Sequence, residues 1–258
     1  MRLSPSWPEW EKFARRSGET LDVLFDGGLT LLQSRLGYRF SIDALLLAHF
    51  VSIRRNDKIV DLGSGNGVVS LTLARLYPSA MVTGVELQES MVERARRNIC
   101  LNGLEQRIQI VRGDVRSRQR LLSAGGFDAA VCNPPYRKPS SGRISADDER
   151  RVARHELNGD LGDFLGAAAF SLRNRGRAAI VHLAARSADV IVAMRQAGLE
   201  PKRLRMVHSF HGAEASLVLV EGVKGGRAGL AVLPPLTIYR RAKEYTVEVA
   251  AILSGVRA

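Results

Sequence analysis

The sequence predicts an open α/β fold, a mostly parallel sheet with helices on both faces. Three observations carry that prediction. Short apolar runs bounded by turn residues alternate with longer segments of helical period across most of the 258 residues, the pattern of strand-helix-strand units. One such run, Ile59–Leu62, opens into Gly63-Ser-Gly-Asn-Gly67 and then a helical stretch, so the chain turns a glycine corner at a strand end. Two further runs lead into carboxylates, Glu86 and Asp114, at the edge where open sheets of this class receive ligands.

Composition sets the bounds. With 45% apolar residues the chain has ample material for one main core. Residues 1–50 read as an N-terminal hairpin and helix extension closing over a cofactor, and 51–258 as the catalytic domain. No apolar run reaches membrane-spanning length, and Met1–Arg16 carries no continuous hydrophobic segment, so a cytoplasmic protein without a membrane partner is expected. Cys100 and Cys132 lack ligand spacing and read as small buried apolar residues, with neither a disulfide framework nor a metal site. A formal net charge of +12 favours a polyanionic partner, hence nucleic acid. Only six of the 38 basic residues are Lys, and the planar guanidinium of the rest suits phosphates and base stacking.

Residues 1–25 are weakly patterned, with Trp7, Trp10 and Phe13 placed to pin an N-terminal helix. Leu29–Gln33 and Gly37–Phe40 read as the two strands of a small hairpin. Ser41 or Asp43 then caps a helix over Ala44–Val51 by accepting from its first-turn amides, and Asp43 is also placed to approach the ammonium of a bound cofactor. After the strand ending at Asp61-Leu62, Gly63, Gly65 and Gly67 let the backbone come close to a ligand, and Val68–Leu76 follows as a helix. The spacing is neither the dinucleotide fingerprint nor a P-loop. Met81–Glu86 is the second strand, and its terminal carboxylate can accept both hydroxyls of a ribose. A helix over Gln88–Asn102 leads to a third strand, Arg107–Val111. Asp114 stands where it can accept an adenine amine, with Leu87 and Val115 on either side of the ring.

The fourth strand, Phe127–Cys132, delivers Asn133-Pro134-Pro135-Tyr136 from its carboxyl end. Two consecutive prolines hold Asn133 extended and fix its amide and the neighbouring carbonyl. The Asn133 side-chain oxygen and the Pro134 carbonyl are then two fixed acceptors, matched to the two hydrogens of an NH2 on a planar carbon. Holding those hydrogens turns the nitrogen lone pair toward an electrophile, while Tyr136 stacks on the ring. Such chemistry is positioning and electrostatics, and needs no nucleophilic triad. The basic segment Arg137–Arg143 reads as a lid or phosphate contact through Arg137, Lys138 and Arg143; Arg150, Arg151, Arg154 and His155 face RNA or water. A helix over Leu161–Leu172, a strand over Arg177–Ala184, a helix over Ala188–Gln196 and strands over Arg203–Phe210 and Ser216–Glu221 follow. The glycine-rich link Gly222–Arg227 adds Lys224 and Arg227 as candidate phosphate contacts. Leu233–Tyr239 and a helix over Thr246–Leu253 complete the chain.

The whole progression resembles the class I S-adenosylmethionine-dependent methyltransferases. Asp61–Gly67 looks like their cofactor loop, Glu86 like the ribose acid, Asp114 like the adenine acid, and Asn133-Pro-Pro-Tyr136 like the motif of amino methyltransferases. Gly37–Ala48, Leu217–Gly226 and Leu233–Tyr239 are similar to the bacterial branch that N6-methylates the adenine beside the anticodon of a valine tRNA, and this likeness covers nearly the full chain. The resemblance implies a Rossmann-like sheet of seven strands in the order 3-2-1-4-5-7-6 with the last antiparallel. It implies S-adenosyl-L-methionine as cofactor, held by Phe40, Asp43, Asp61, Gly63, Gly65, Gly67, Glu86, Leu87, Asp114, Val115 and Asn133, and no metal. It also implies that Asn133, Pro134 and Tyr136 grip a flipped adenine of tRNA. The same motif serves guanine N2 in ribosomal RNA and the amide of a protein glutamine, so those acceptors stay open. A nucleotide-dependent oxidoreductase also places an acid about twenty residues past its glycines, though with another glycine spacing. A non-catalytic RNA-binding protein on this fold is a third reading.

Overall fold

The structure, a computed structural model, describes residues 15–35, 41–134 and 159–256. An antiparallel hairpin comes first, β1 (Glu19–Leu24) with β2 (Leu29–Ser34). Helix α1 (Ile42–Phe50) leads into β3 (Lys58–Leu62), α2 (Val68–Leu76), β4 (Met81–Glu86), α3 (Glu89–Leu101), β5 (Ile108–Arg112), the short α4 (Arg118–Leu121) and β6 (Phe127–Cys132). The second half runs α5 (Leu161–Ser171), β7 (Leu172–Leu183), α6 (Ser187–Gln196), β8 (Leu199–Phe210) and β9 (Ala215–Lys224). It closes with β10 (Ala231–Val232), β11 (Leu236–Arg241), β12 (Glu244–Tyr245) and α7 (Val247–Leu253), whose N-cap Thr246 accepts from the Val249 amide. Among the described residues no helix is long and apolar enough to cross a membrane.

All strands from β3 onward form one sheet in the order β5-β4-β3-β6-β7-β9-β8-β11-β12, with β10 beside β8. Counted from β3, the first seven strands follow the expected order, and β9 is antiparallel to both β7 and β8. The sheet is nonetheless larger than seven strands, because β10 and β11 add in parallel to β8 and β12 folds back on β11. Pro234 and Pro235 obscure that extension in the sequence: they cannot donate to a ladder, and the strand begins directly after them.

Side chains of the central strands alternate between two buried faces, as a sheet covered on both sides requires. Ile59, Ala129, Val131, Ala179 and Val181 join one core with α1, α2, α3 and α7. Val60, Leu62, Ala130, Cys132, Ala178 and Ile180 join the other with α5 and α6.

The hairpin is built differently from expectation. The partner of β2 is β1, upstream, and 37–40 lies outside the described residues, as do Trp7, Trp10 and Phe13. The reason β1 is hard to read is that its pattern is inverted: Leu21 and Val23 stand 48% and 61% exposed while Glu19 is buried. Glu19 is held by ion pairs to Arg97 at 2.6 Å and Arg94 at 3.0 Å, both on α3. Asn98 of the same helix and Asn102, its C-cap, complete the attachment. Asn98 accepts from the Leu32 amide at 2.6 Å and donates to its carbonyl at 3.1 Å; Asn102 does the same for Thr30 at 2.9 and 2.7 Å. Four helical residues rise about 6 Å and two strand residues about 6.6 Å, so the two amides meet alternate residues of β2 in register. In effect α3 supplies the missing neighbour of an edge strand.

Glu19→Ala would leave Arg97 buried without its main counter-ion and should destabilise the protein by about 3 kcal/mol in urea unfolding. The guanidiniums outweigh burial and hold the Glu19 carboxyl down at about 2 from its ordinary 4.5. Its contribution is therefore present above about pH 4.5 and lost as pH falls through about 2, so the parent-to-variant gap should close with acidification. A gap that is small at neutral pH, or that widens in acid, contradicts this assignment.

A ligand cavity at the carboxyl ends of the strands

The chain turns between β3 and α2 and between β4 and α3 surround a cavity of about 450 Å³. Its wall includes Ser41 and Asp43 from the start of α1, Gly63–Asn66, Val68 and Val69 from the glycine corner, Glu86–Gln88 and Met91, Gly113 and Val115, Asn133 and Pro134, Phe164 from α5 and Leu183 at the end of β7. Volume and mostly apolar lining suit a cofactor-sized ligand.

The corner is fixed by backbone bonds. The Gly63 and Ser64 amides both donate to the Val85 carbonyl, at 2.8 and 3.0 Å, tying the end of β3 to the end of β4. Gly63 has φ +74°, and a Cβ there would stand 2.9 Å from the Phe164 ring. Gly65, at φ +56°, has open space where a Cβ would project, and its amide donates to Glu86 Oε2 at 2.9 Å. The other Glu86 oxygen accepts from the Gln88 amide at 2.8 Å. Burial pushes the Glu86 carboxyl up, against the pull of the Gln88, Gly65 and Leu87 amides.

Not every expected residue reaches the wall. Asp61 lies behind the corner, where it accepts from the Ser70 hydroxyl at 2.7 Å. Gly67 turns into α2 with its α-carbon side packed toward Ala95, a Cβ there falling 3.3 Å from the Ala95 methyl. Asp114 sits between two lining residues, but its carboxylate is engaged by the Arg116 amide and guanidinium, whose hydrogen bond lowers its pKa. Asp43 does reach the cavity; it accepts from the Ala44 amide at 3.1 Å and from the Ser41 hydroxyl. Asn133 and Pro134 line the same cavity. Phe40, Pro135, Tyr136, Arg137, Lys138 and Arg143 lie outside the described residues, as do Arg150, Arg151, Arg154 and His155.

Two of the candidate phosphate contacts lie away from the cavity. Because β9 runs antiparallel, Lys224 at its end pairs with Leu199 at the start of β8, and its ammonium donates to the Leu172 carbonyl at 2.7 Å. The cavity-lining Leu183 is level with Leu217, about 20 Å back along β9. Lys224 and the following Arg227 thus stand at the opposite edge of the sheet from Asn133.

Sequence reading also passed over two residues. Ser64 and Asn66 alternate with the glycines, line the cavity and are buried. The Ser64 hydroxyl and both polar atoms of the Asn66 amide have no hydrogen-bond partner among the described residues. Buried polar groups without partners carry a desolvation cost that a ligand's polar atoms would remove. Their place between cavity-facing glycines was the available signal.

Burial raises the Asp61 carboxyl to about 7 from an ordinary 3.8; the Ser70 hydrogen bonds oppose this and the nearby Glu86 charge adds to it. Folding therefore favours its protonated form, and the associated stability is lost as pH rises from about 4 through about 7. For the ligand-free protein, Asp61→Asn should gain on the parent by up to a few kcal/mol across that window in urea unfolding. A parent-to-variant difference independent of pH contradicts the assignment.

Comparison with known proteins agrees with this geometry. Residues 41–181 match the model of the methyltransferase small domain. The chain is 31% identical over 167 residues to a protein of Tolumonas auensis named tRNA1(Val) (adenine(37)-N6)-methyltransferase, covering 64% of this chain and 68% of that one. A protein of the same name from Porphyromonas gingivalis is 32% identical over 164 residues, covering 63% of this chain and 64% of its own length. Among solved structures, a protein described as a predicted O-methyltransferase from Agrobacterium tumefaciens superposes with a TM-score of 0.69 at 26% identity. That match covers 84% of this chain and 97% of the other. With its glycine corner, its strand-end acid and its sheet order, the chain belongs to the methyltransferase small-domain family, within the class I S-adenosylmethionine-dependent methyltransferases.

Proposed function

We propose that this chain transfers the methyl group of S-adenosyl-L-methionine to the exocyclic N6 amine of an adenine in tRNA, adenine 37 of a valine tRNA by analogy with the relatives so named. The observation that carries the reading is that Asn133 and Pro134 line the same cavity as Gly63, Gly65 and Glu86, which puts an amine-holding edge and a cofactor corner around one space.

The residues fit that cofactor. Glu86, preorganised by the Gly65 and Gln88 amides, offers carboxylate oxygens to a ribose diol. Leu87 and Val115 supply apolar walls for a purine, and Ser64 and Asn66, whose buried polar groups lack partners among the described residues, belong to the same wall. Asp43 is the carboxylate for an ammonium, which also supports reading residues 1–50 as an element that closes over the site. Bound there, S-adenosyl-L-methionine supplies an electrophilic methyl group on a sulfonium.

The chain's own part is to hold the acceptor. The Asn133 side-chain oxygen and the Pro134 carbonyl accept the two amine hydrogens, which orients the nitrogen lone pair. Neither oxygen is a base, so their contribution is geometry and electrostatics, and the proton that the methylated nitrogen sheds is released to solvent. The apolar wall keeps competing water away. A hydroxyl acceptor offers a single hydrogen and would leave one of the two oxygens unused, which supports nitrogen over oxygen as the methylated atom. Tyr136 is assigned to stack on the base, worth about 1–3 kcal/mol.

Labelled cofactor incubated with total tRNA, ribosomal RNA and release factor, followed by nucleoside mass spectrometry, should yield N6-methyladenosine in tRNA. Label found only in ribosomal guanine or in protein rejects the proposal. Asn133→Ala should lower kcat by about 10²–10³ while cofactor affinity stays within about twofold, by analogy with the loss of one preorganised polar group from an active site. Glu86→Ala should instead weaken cofactor binding about tenfold or more in calorimetry, the cost of losing a charged hydrogen-bonding group. Equal kcat for parent and Asn133→Ala removes the assigned role.

A further inference from the structure

A strip of aromatic rings lies beyond the cavity on the added strands. Phe210 at the end of β8 faces Tyr239 of β11 with ring centroids 5.5 Å apart, and Tyr239 stacks on Tyr245 of β12 at 5.1 Å with 22° between planes. Tyr239 packs against the core and stands behind the outer Tyr245 ring. Phe210 and Tyr245 are each 41% exposed. Rings held rigid and left open to solvent provide π-faces without further ordering.

Position relates the strip to the cavity. The lining residue Leu183 pairs with Leu217, and Leu217 pairs with Val207. Phe210 therefore stands two strand spacings sideways and three residues further out, about 10 Å in each direction. It lies on the same edge of the sheet as Asn133, unlike Lys224 and Arg227. The end of β11 and the turn into β12 bring charge to the strip: Arg240, Arg241 and Lys243 are exposed, and Lys243 has no ion pair among the described residues. Glu244 is shared by Arg240 and Arg241 at 3.3 and 3.0 Å, so three cations face one carboxylate. Of the other acids nearby, Glu248 is matched by Arg205 at 2.6 Å, and Glu214 is exposed on the turn after β8.

We infer that this strip binds single-stranded RNA next to the target nucleotide, taking bases on the exposed Phe210 and Tyr245 rings, which Tyr239 supports from between them, and phosphates on Arg240, Arg241 and Lys243. Stacking platforms interleaved with cations are the physical means by which single strands are held without sequence readout. The inference rests on the reading of the chain as an RNA methyltransferase, and it places a substrate surface on strands outside the matched family segment, residues 41–181.

The test is fluorescence anisotropy with a short fluorescein-labelled single-stranded RNA, without cofactor, across a salt titration. The double variant Phe210→Ser/Tyr245→Ser should lose about tenfold or more in affinity. Arg240→Gln/Arg241→Gln/Lys243→Gln should flatten the dependence of log affinity on log salt by about 0.7 for each phosphate no longer neutralised. Unchanged cofactor affinity in calorimetry shows that each variant is folded, and Tyr245→Ser alone serves if the double variant is not. Parental RNA affinity in the aromatic variant overturns the inference, whatever the charge variant does, and would leave the strip to a protein partner. Failure of the parental chain to methylate tRNA would sink the proposed function instead, since RNA affinity is read here without turnover.

Discussion

The carboxylate of Glu86 holds together the two strand ends from which the cavity is made. One oxygen takes the Gly65 amide and the other the Gln88 amide, so the ends of β3 and β4 and the start of α3 share one anion. That arrangement is possible only because the chain between Gly63 and Gly67 adopts positive φ at alternate positions, which presents amide hydrogens where side chains would otherwise stand. What the corner leaves unsatisfied among the described residues, the Ser64 hydroxyl and the Asn66 amide, belongs to residues of the cavity wall, with the Ser64 hydroxyl beside Gly84 of β4.

The N-terminal hairpin bears on the same corner. Asn98, which clamps Leu32 of β2, also donates to the Asn66 carbonyl at 2.9 Å. A single buried amide therefore joins the hairpin, helix α3 and the cofactor loop. The ion pairs of Glu19 with Arg94 and Arg97 lie on the same helix, so attachment of β1 and placement of the loop are mechanically one unit. Buried polar networks of this kind are costly where a member is left unpaired, and the bonds they do make restrict the chain to few arrangements.

Much of this was legible in the residues because the strands are short, apolar and ended by chemistry. Ile59–Leu62, Met81–Glu86 and Phe127–Cys132 could be placed within a residue, since each runs into a glycine, an acid or an Asn-Pro pair. The sheet order, by contrast, came from resemblance, because pairing of distant strands leaves no local trace. What escaped reading did so for physical reasons. Strand β1 exposes its apolar side and buries an acid, which inverts the usual signal. Strand β11 hides behind two prolines. The distance of Lys224 from the cavity was not legible, because sequence shows that a residue is basic without showing which end of an antiparallel strand it occupies. Ser64 and Asn66 were overlooked for a similar reason: only a fold reveals that a polar side chain is buried without a partner.

The far border of the sheet has a bearing on how the molecule behaves in a crowded solution. Strand β12 is two residues long, its pairing with β11 is broken by a register shift, and it is flanked by Arg241 and Lys243. A border so short, irregular and charged offers a second chain almost no ladder to extend. That border is thereby kept from templating aggregation, even though its last rungs carry exposed aromatic rings.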